Sequence, residues 1–99
     1  MKIIKDLKDG NLVVTLIGEL NSFTASDLEE VIKNDLNGVK SLVFDFKELD
    51  YLSSAGLRVL LVAQKIMAKQ GKMSLRNVNQ SVMEIFEITG FSNILDIEA

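Results

Sequence analysis

The sequence contains no cysteine and no histidine. Disulfides, thiol chemistry and a histidine base are therefore excluded, and most zinc sites lose their usual ligands. A chain without cysteine fits a reducing compartment, so a cytoplasmic location is expected. Proline is absent too, and no linker, internal repeat or low-complexity segment breaks the chain. No apolar run reaches the ~18–20 residues of a membrane span, so no membrane insertion is expected. The opening Met1-Lys2-Ile3-Ile4-Lys5-Asp6 is too short and too charged for a signal peptide. Positive charge is also scarce: 11 Lys and Arg against 14 Asp and Glu leave a net −3, which argues against direct nucleic-acid binding.

What is present suits one folded unit. The chain has 99 residues, of which 47% are apolar and 25% charged. That composition reads as globular, and a chain of this size buries about 60–70% of its unfolded surface. A single domain over residues 1–99 is expected.

Lys8-Asp9-Gly10-Asn11 lies between the apolar stretches Ile3–Leu7 and Leu12–Ile17. Asp-Gly tolerates positive φ, so a β-hairpin is predicted there. Gly18-Glu19-Leu20-Asn21 should then leave the sheet. Thr24, followed three residues later by Asp27, resembles a capping box. Ala25, Leu28, Val31, Ile32 and Leu36 follow at helical spacing, and Asn37-Gly38 ends that helix. Ser41–Phe46 is apolar at nearly every residue and predicts a central strand covered on both faces, with Asp45 the exception. A second helix is predicted from about Ser54 to Gln70, stopped by Gly71. Met73 and Leu75 alternate in a short strand. A third helix begins near Asn79 and ends at Gly90. Phe91–Ile97 is a tail expected to cover an edge. Strands alternating with helices imply parallel neighbours and right-handed crossovers.

The second helix has an uneven circumference. At about 100° per residue, Gly56, Val59, Leu60, Ala63, Ile66 and Met67 share one arc, which is the predicted core face. Gly56 in that arc permits close approach to the sheet. Ser54, Arg58, Lys65 and Lys69 form a stripe on the other side, bordered by Leu57, Leu61 and Val62. Two readings of that border stand side by side. It is a docking surface for a partner, or its aliphatics are covered by another helix of the same domain.

Leu52-Ser53-Ser54-Ala55-Gly56-Leu57 sits between the central strand and this helix. Its plainest reading is a helix cap worth ~1 kcal/mol, for which Ser53 serves as readily as Ser54. The other reading is a phosphoacceptor. The first turn of a helix has unpaired N–H groups and partial positive charge, and it stabilises a phosphate. Phosphate on Ser54 would add roughly −1.5 to −2 charges near Arg58. The helix would tolerate that, whereas a partner fitted to a neutral hydroxyl would meet a dianion that must be desolvated.

Gly18-Glu19-Leu20-Asn21 with Thr24-Ala25, Leu42–Phe46, Leu52–Leu57 and the late Val78–Phe91 occur in an order and spacing that resemble the STAS domain of bacterial anti-sigma factor antagonists. The resemblance covers nearly the whole chain. It implies an α/β fold: a single-layer mixed sheet with an N-terminal hairpin, then alternating strands and helices packed mainly on one face. It also implies a switch. An unphosphorylated antagonist binds a partner that is both anti-sigma factor and serine kinase, and so frees a sigma factor. Phosphorylation blocks that binding, and a serine phosphatase restores it. By the same resemblance Ser54 takes the acceptor position, with Ser53 the second choice. Asn21, Ser53, Ser54, Leu57, Arg58, Leu61, Val62 and Lys65 become the expected partner contacts. Ser53 and Asn21 stand where the family commonly carries Asp. The family also includes non-switching subunits of lipid-transport and stress-signalling assemblies, in which Ser54 would be a cap alone.

No enzyme is expected. Asp45, Glu48 and Asp50 cluster near the end of the central strand, but no nucleophile or pocket accompanies them, and they read as solvated loop charges. The glycines form no phosphate-loop spacing, so no nucleotide or other cofactor is expected.

Overall fold

The computed structural model describes residues 1–98. The chain runs β1 (Lys2–Lys8), β2 (Asn11–Leu20), α1 (Ala25–Asp35), β3 (Ser41–Leu52), α2 (Ser54–Gln70), β4 (Lys72–Arg76), α3 (Gln80–Thr89), a 3-10 turn (Phe91–Asn93) and β5 (Asp96–Ile97). Asp9 and Gly10 both adopt positive φ, 53° and 81°, which closes the tight hairpin between β1 and β2.

The five strands lie in the sheet in chain order, β1-β2-β3-β4-β5. β1 pairs antiparallel with β2, and every later pair is parallel. Each crossover therefore steps the same way along the sheet. Crossovers of one hand then place α1, α2 and α3 on one face. The burial pattern agrees. Leu12, Val14, Leu16, Leu42, Phe44, Phe46, Met73 and Leu75 are fully buried, while the alternate residues Val13, Thr15, Ile17, Val43, Asp45 and Ser74 are only half-covered. The expected covering of β3 on both faces does not occur. The helices close only the face that carries Phe44 and Phe46.

β3 is longer than its apolar run predicts. Its register against β2 slips twice, between the pairs Thr15–Asp45 and Ile17–Glu48, and again between Gly18–Leu49 and Glu19–Tyr51. Each slip is an extra β3 residue, a bulge that reverses which side chains point inward. Phe46, Leu49 and Leu52 thus all reach the core, while Lys47, Glu48, Asp50 and Tyr51 face out. β2 also continues to Leu20, past the predicted exit at Gly18, because Glu19 and Leu20 keep pairing with Tyr51 and Leu52.

The first bulge is pinned from the side. Asp45 Oδ1 accepts from Lys47 N at 3.0 Å and from Asn77 Nδ2 at 3.0 Å, and Asp45 Oδ2 accepts from Arg76 Nε at 3.2 Å. This ties β3 to the connection after β4. Asn79 then caps α3 by accepting from Val82 N at 2.9 Å, and its Nδ2 donates to Leu49 O at 3.0 Å.

Candidate functional site

The carboxyl ends of β2 and β3 meet the start of α2. Ser53 N donates to Leu20 O at 2.9 Å, so the residue before α2 is fastened to the last residue of β2. Gly56 makes this junction close. A Cβ there would lie 2.6 Å from Leu20 Cγ and 2.8 Å from Leu52 Cδ1, closer than real Cβ atoms approach a neighbour. The first turn of α2 therefore rests directly on the two strand ends.

The two serines differ in what their hydroxyls do. Ser53 is the N-cap, in extended conformation, and its Oγ accepts from Gly56 N at 3.3 Å. Ser54 is the first helical residue and is exposed, and its Oγ has no hydrogen-bond partner among the described residues. Ser54 thus offers a hydroxyl to solvent at the positive end of a 17-residue helix.

The loop between β2 and α1 is built around Asn21 and Thr24. Asn21 Oδ1 accepts from Phe23 N at 2.9 Å and from Thr24 N at 3.0 Å. Thr24 Oγ1 accepts from Asn21 N at 2.8 Å and donates to Glu19 O at 2.8 Å. The predicted capping box at Thr24 and Asp27 is absent. Thr24 flanks α1 but makes no side-chain cap bond, because its hydroxyl is spent on the loop. Asn21 has a structural task as well: its oxygen faces its own loop and is not free for Ser54.

The predicted stripe on α2 is partly present. Arg58 and Lys65 are exposed, Val62 is 43% exposed, and Leu61 is half-buried. Val62, Lys65, Ile66, Lys69 and Gln70 line a shallow groove farther along the helix. Leu57 is a correction: at 6% exposure it belongs to the core. For Leu57 the covering reading holds, since α2 is closed in on that flank by the rest of the domain. Leu57 supports the first turn of α2 and does not present itself to a partner.

One exposed residue of this end escaped the sequence reading. Phe23, between Asn21 and Thr24, is 87% exposed. The available signal was an aromatic outside every periodic run, placed in a short polar loop.

Among the described residues no polar or charged side chain is fully buried, and no group of three or more carboxylates gathers as metal ligands. No helix among them is long and apolar enough to cross a membrane.

The sequence matches the STAS domain over residues 2–99. The chain belongs to the STAS domain family. BtrV of Bordetella bronchiseptica, described as an anti-sigma factor antagonist, is 41% identical over 99 residues, which span 98% of this chain and 85% of that protein. The anti-sigma-B factor antagonist of Bacillus subtilis is 30% identical over 102 residues, covering 100% of this chain and 94% of that protein. Among solved structures, the anti-sigma factor antagonist SpoIIAA in its unphosphorylated form superposes with a TM-score of 0.78 at 17% identity, over 99% of this chain and 87% of that one. Bacillus SpoIIAA in its phosphorylated form gives 0.77 at 18% identity, over 99% and 92%. At such identity the likeness concerns the fold. The single mixed sheet with helices on one face is that of this STAS member.

Proposed function

We propose that the chain is an anti-sigma factor antagonist switched by phosphorylation of Ser54. The observation that carries this reading is the division of labour between the serines. Ser53 is engaged in the cap, so Ser54 is left open at the start of α2. Its two most informative relatives bear the description of anti-sigma factor antagonists. SpoIIAA exists in both phosphorylation states, and both resemble this fold about equally. A phosphate on a protein of this fold therefore need not rebuild the domain.

The mechanism follows from where charge falls. In the unphosphorylated form Ser54 and its immediate neighbours Asn21, Ser53 and Ala55 carry no charge. The anti-sigma factor seats there, with Arg58, Leu61, Val62 and Lys65 along α2 as further contacts, and its sigma factor is released. The same partner acts as an ATP-dependent kinase: the Ser54 oxygen takes the γ-phosphoryl group of ATP, the bond to the β-phosphate breaks, ADP leaves and the hydroxyl proton is released. The dianion is stabilised within the free protein by the unpaired N–H groups of the first turn and by Arg58 one turn on. In the complex it meets a surface shaped for a hydroxyl and must be stripped of water, which costs several kcal/mol. Binding is lost, and a serine phosphatase resets the hydroxyl. The cycle belongs in the cytoplasm, with the sigma factors it governs.

Mass spectrometry of the protein from its native cell should find phosphate on Ser54 and none on Ser53. Ser54→Asp should lose the anti-sigma factor, while Ser54→Ala should bind it permanently. If the two variants bind alike, the site is a fixed adaptor surface of a lipid-transport or stress-signalling assembly and the serine is only helical.

A further inference from the structure

Among the described residues, seven large apolar side chains lie substantially exposed: Ile4, Leu7, Phe23, Tyr51, Val62, Ile88 and Ile94. Leu7 lies in β1 next to the hairpin turn, Ile88 lies in the last turn of α3 and Ile94 follows that helix. All three belong to the end of the sheet away from Ser54. Phe23 belongs to the Ser54 end and is the most exposed of the seven, at 87%.

Its backbone is held on both sides. Phe23 N donates to Asn21 Oδ1 at 2.9 Å, and Phe23 O accepts from Ser26 Oγ at 3.0 Å. The flanking residues are tied by Asn21 N to Thr24 Oγ1, Thr24 N to Asn21 Oδ1 and Ala25 N to Asn21 O. The ring is thus shown to solvent from a loop that has little freedom left to lose. A fixed aromatic with two side-chain torsions binds at a low entropic cost, which is how aromatic anchors dominate interfaces.

The surroundings also favour contact. Asn21-Ser22-Phe23-Thr24 and Leu52-Ser53-Ser54-Ala55 carry no charge, in a chain where 25% of residues are charged. The two segments are bridged by the bond from Ser53 N to Leu20 O. An apolar partner surface can close over them without desolvating an ion.

We infer that Phe23 is the apolar anchor of the anti-sigma factor complex, and that the anti-sigma factor carries an apolar pocket for its ring beside the contact for Ser54. This rests on the reading of the chain as an antagonist and adds a division of roles to it. Phe23 supplies affinity to the unphosphorylated form, and the phosphate on Ser54 vetoes binding whether or not the ring is in place.

The test uses the full chain and the purified anti-sigma factor of the native cell, with binding followed by surface plasmon resonance. Phe23→Ala should weaken binding about 30-fold or more, chiefly through faster dissociation. Its thermal midpoint should stay at the unaltered value, because the ring contributes nothing to the core. Phe23→Leu should restore part of the affinity. Ser54→Asp should lose binding with Phe23 in place. Phe23→Ala binding within twofold of the unaltered chain, while Ser54→Asp still fails to bind, would overturn the anchor and leave the antagonist reading standing. A fall in thermal midpoint that tracks the loss of affinity would make Phe23 structural and overturn the anchor as well. An unaltered chain that binds no anti-sigma factor would overturn both.

Discussion

The two ends of the sheet are built by different means. At the carboxyl end, side chains bind backbone: Asn21 and Thr24 shape one loop, Ser53 caps α2, Asn79 caps α3, and Asp45 holds the first bulge. At the amino end, backbone mostly binds backbone. Lys40 N and Ser41 N both donate to Gly10 O, at 2.8 and 3.2 Å, and Lys72 N donates to Lys40 O at 3.0 Å. Three strand starts are laced together there, and Gln70 Nε2 adds bonds to Leu36 O and Val39 O. An end made of side chains can be respecified one residue at a time, whereas an end made of main chain resists substitution. The end built by side chains is the one that carries Ser54, the proposed acceptor, and Phe23, and loops on a rigid scaffold are where function is commonly borne.

The sharpest way to break this comparison is at Gly71. A Cβ there would collide with the Lys40 carbonyl, which is backbone and already accepts from Lys72 N. Gly71→Ala should cost about 3 kcal/mol and lower the melting temperature on the order of 15 °C. Urea titration gives the first quantity and calorimetry the second. Ser54 phosphorylation per folded molecule should be unchanged, and a large change would show that the two ends are coupled.

A smaller effect is expected at the other end. Ser53→Ala removes the cap bond to Gly56 N and should cost about 0.5–1 kcal/mol. Because Leu57 N still bonds Ser53 O and Ser53 N still bonds Leu20 O, α2 should keep its start and Ser54 should remain an acceptor. Phosphopeptide mapping of this variant checks it, and a phosphate moved to another residue would contradict the assignment.

The smallest effect is a pH dependence at Asp45. Burial raises its pKa, but hydrogen bonds from Asn77, the Lys47 amide and Arg76, with the Arg76 charge, outweigh burial and leave it lowered from 3.8. The folded carboxyl thus holds its proton less tightly than the unfolded one. Its contribution is fully present above about pH 4 and fades as pH falls through the lower folded value. Chemical denaturation from pH 7 down to pH 3 should show Asp45→Asn less stable by about 1 kcal/mol or less at neutral pH, with the gap narrowing below pH 4. A gap that stays constant would show that the charge is idle.

The same contrast explains what could be read from the sequence. Elements made by local rules were legible. Asp9-Gly10 makes the hairpin, α2 spans Ser54–Gln70 as its periodicity predicts, and Asn79 caps α3. The family motifs led to the right fold because their order is the order of the strands. The rest depends on register. Past Phe46 the buried residues are Leu49 and Leu52, three apart, a spacing that reads as helix or loop, and only two bulges reconcile it with a strand. Thr24 has the sequence of a cap, but its hydroxyl is claimed by Glu19 O and Asn21 N, partners that no local pattern names. Leu57 lies on the outward flank of an isolated helix, and only the packed domain shows it buried. Which serine caps α2 was not legible, since either hydroxyl fits a cap, and the packed junction gives that task to Ser53.

The plain numbering of the sheet, β1 to β5 in the order of synthesis, has a bearing on how the molecule is made. Each new strand can dock on the edge completed just before it, so no early segment need wait for a distant partner. Docking in this order favours stepwise assembly as the chain leaves the ribosome. The antiparallel hairpin is available as the first template, and β3, which makes the longest pairing with it, can join before α2 has emerged.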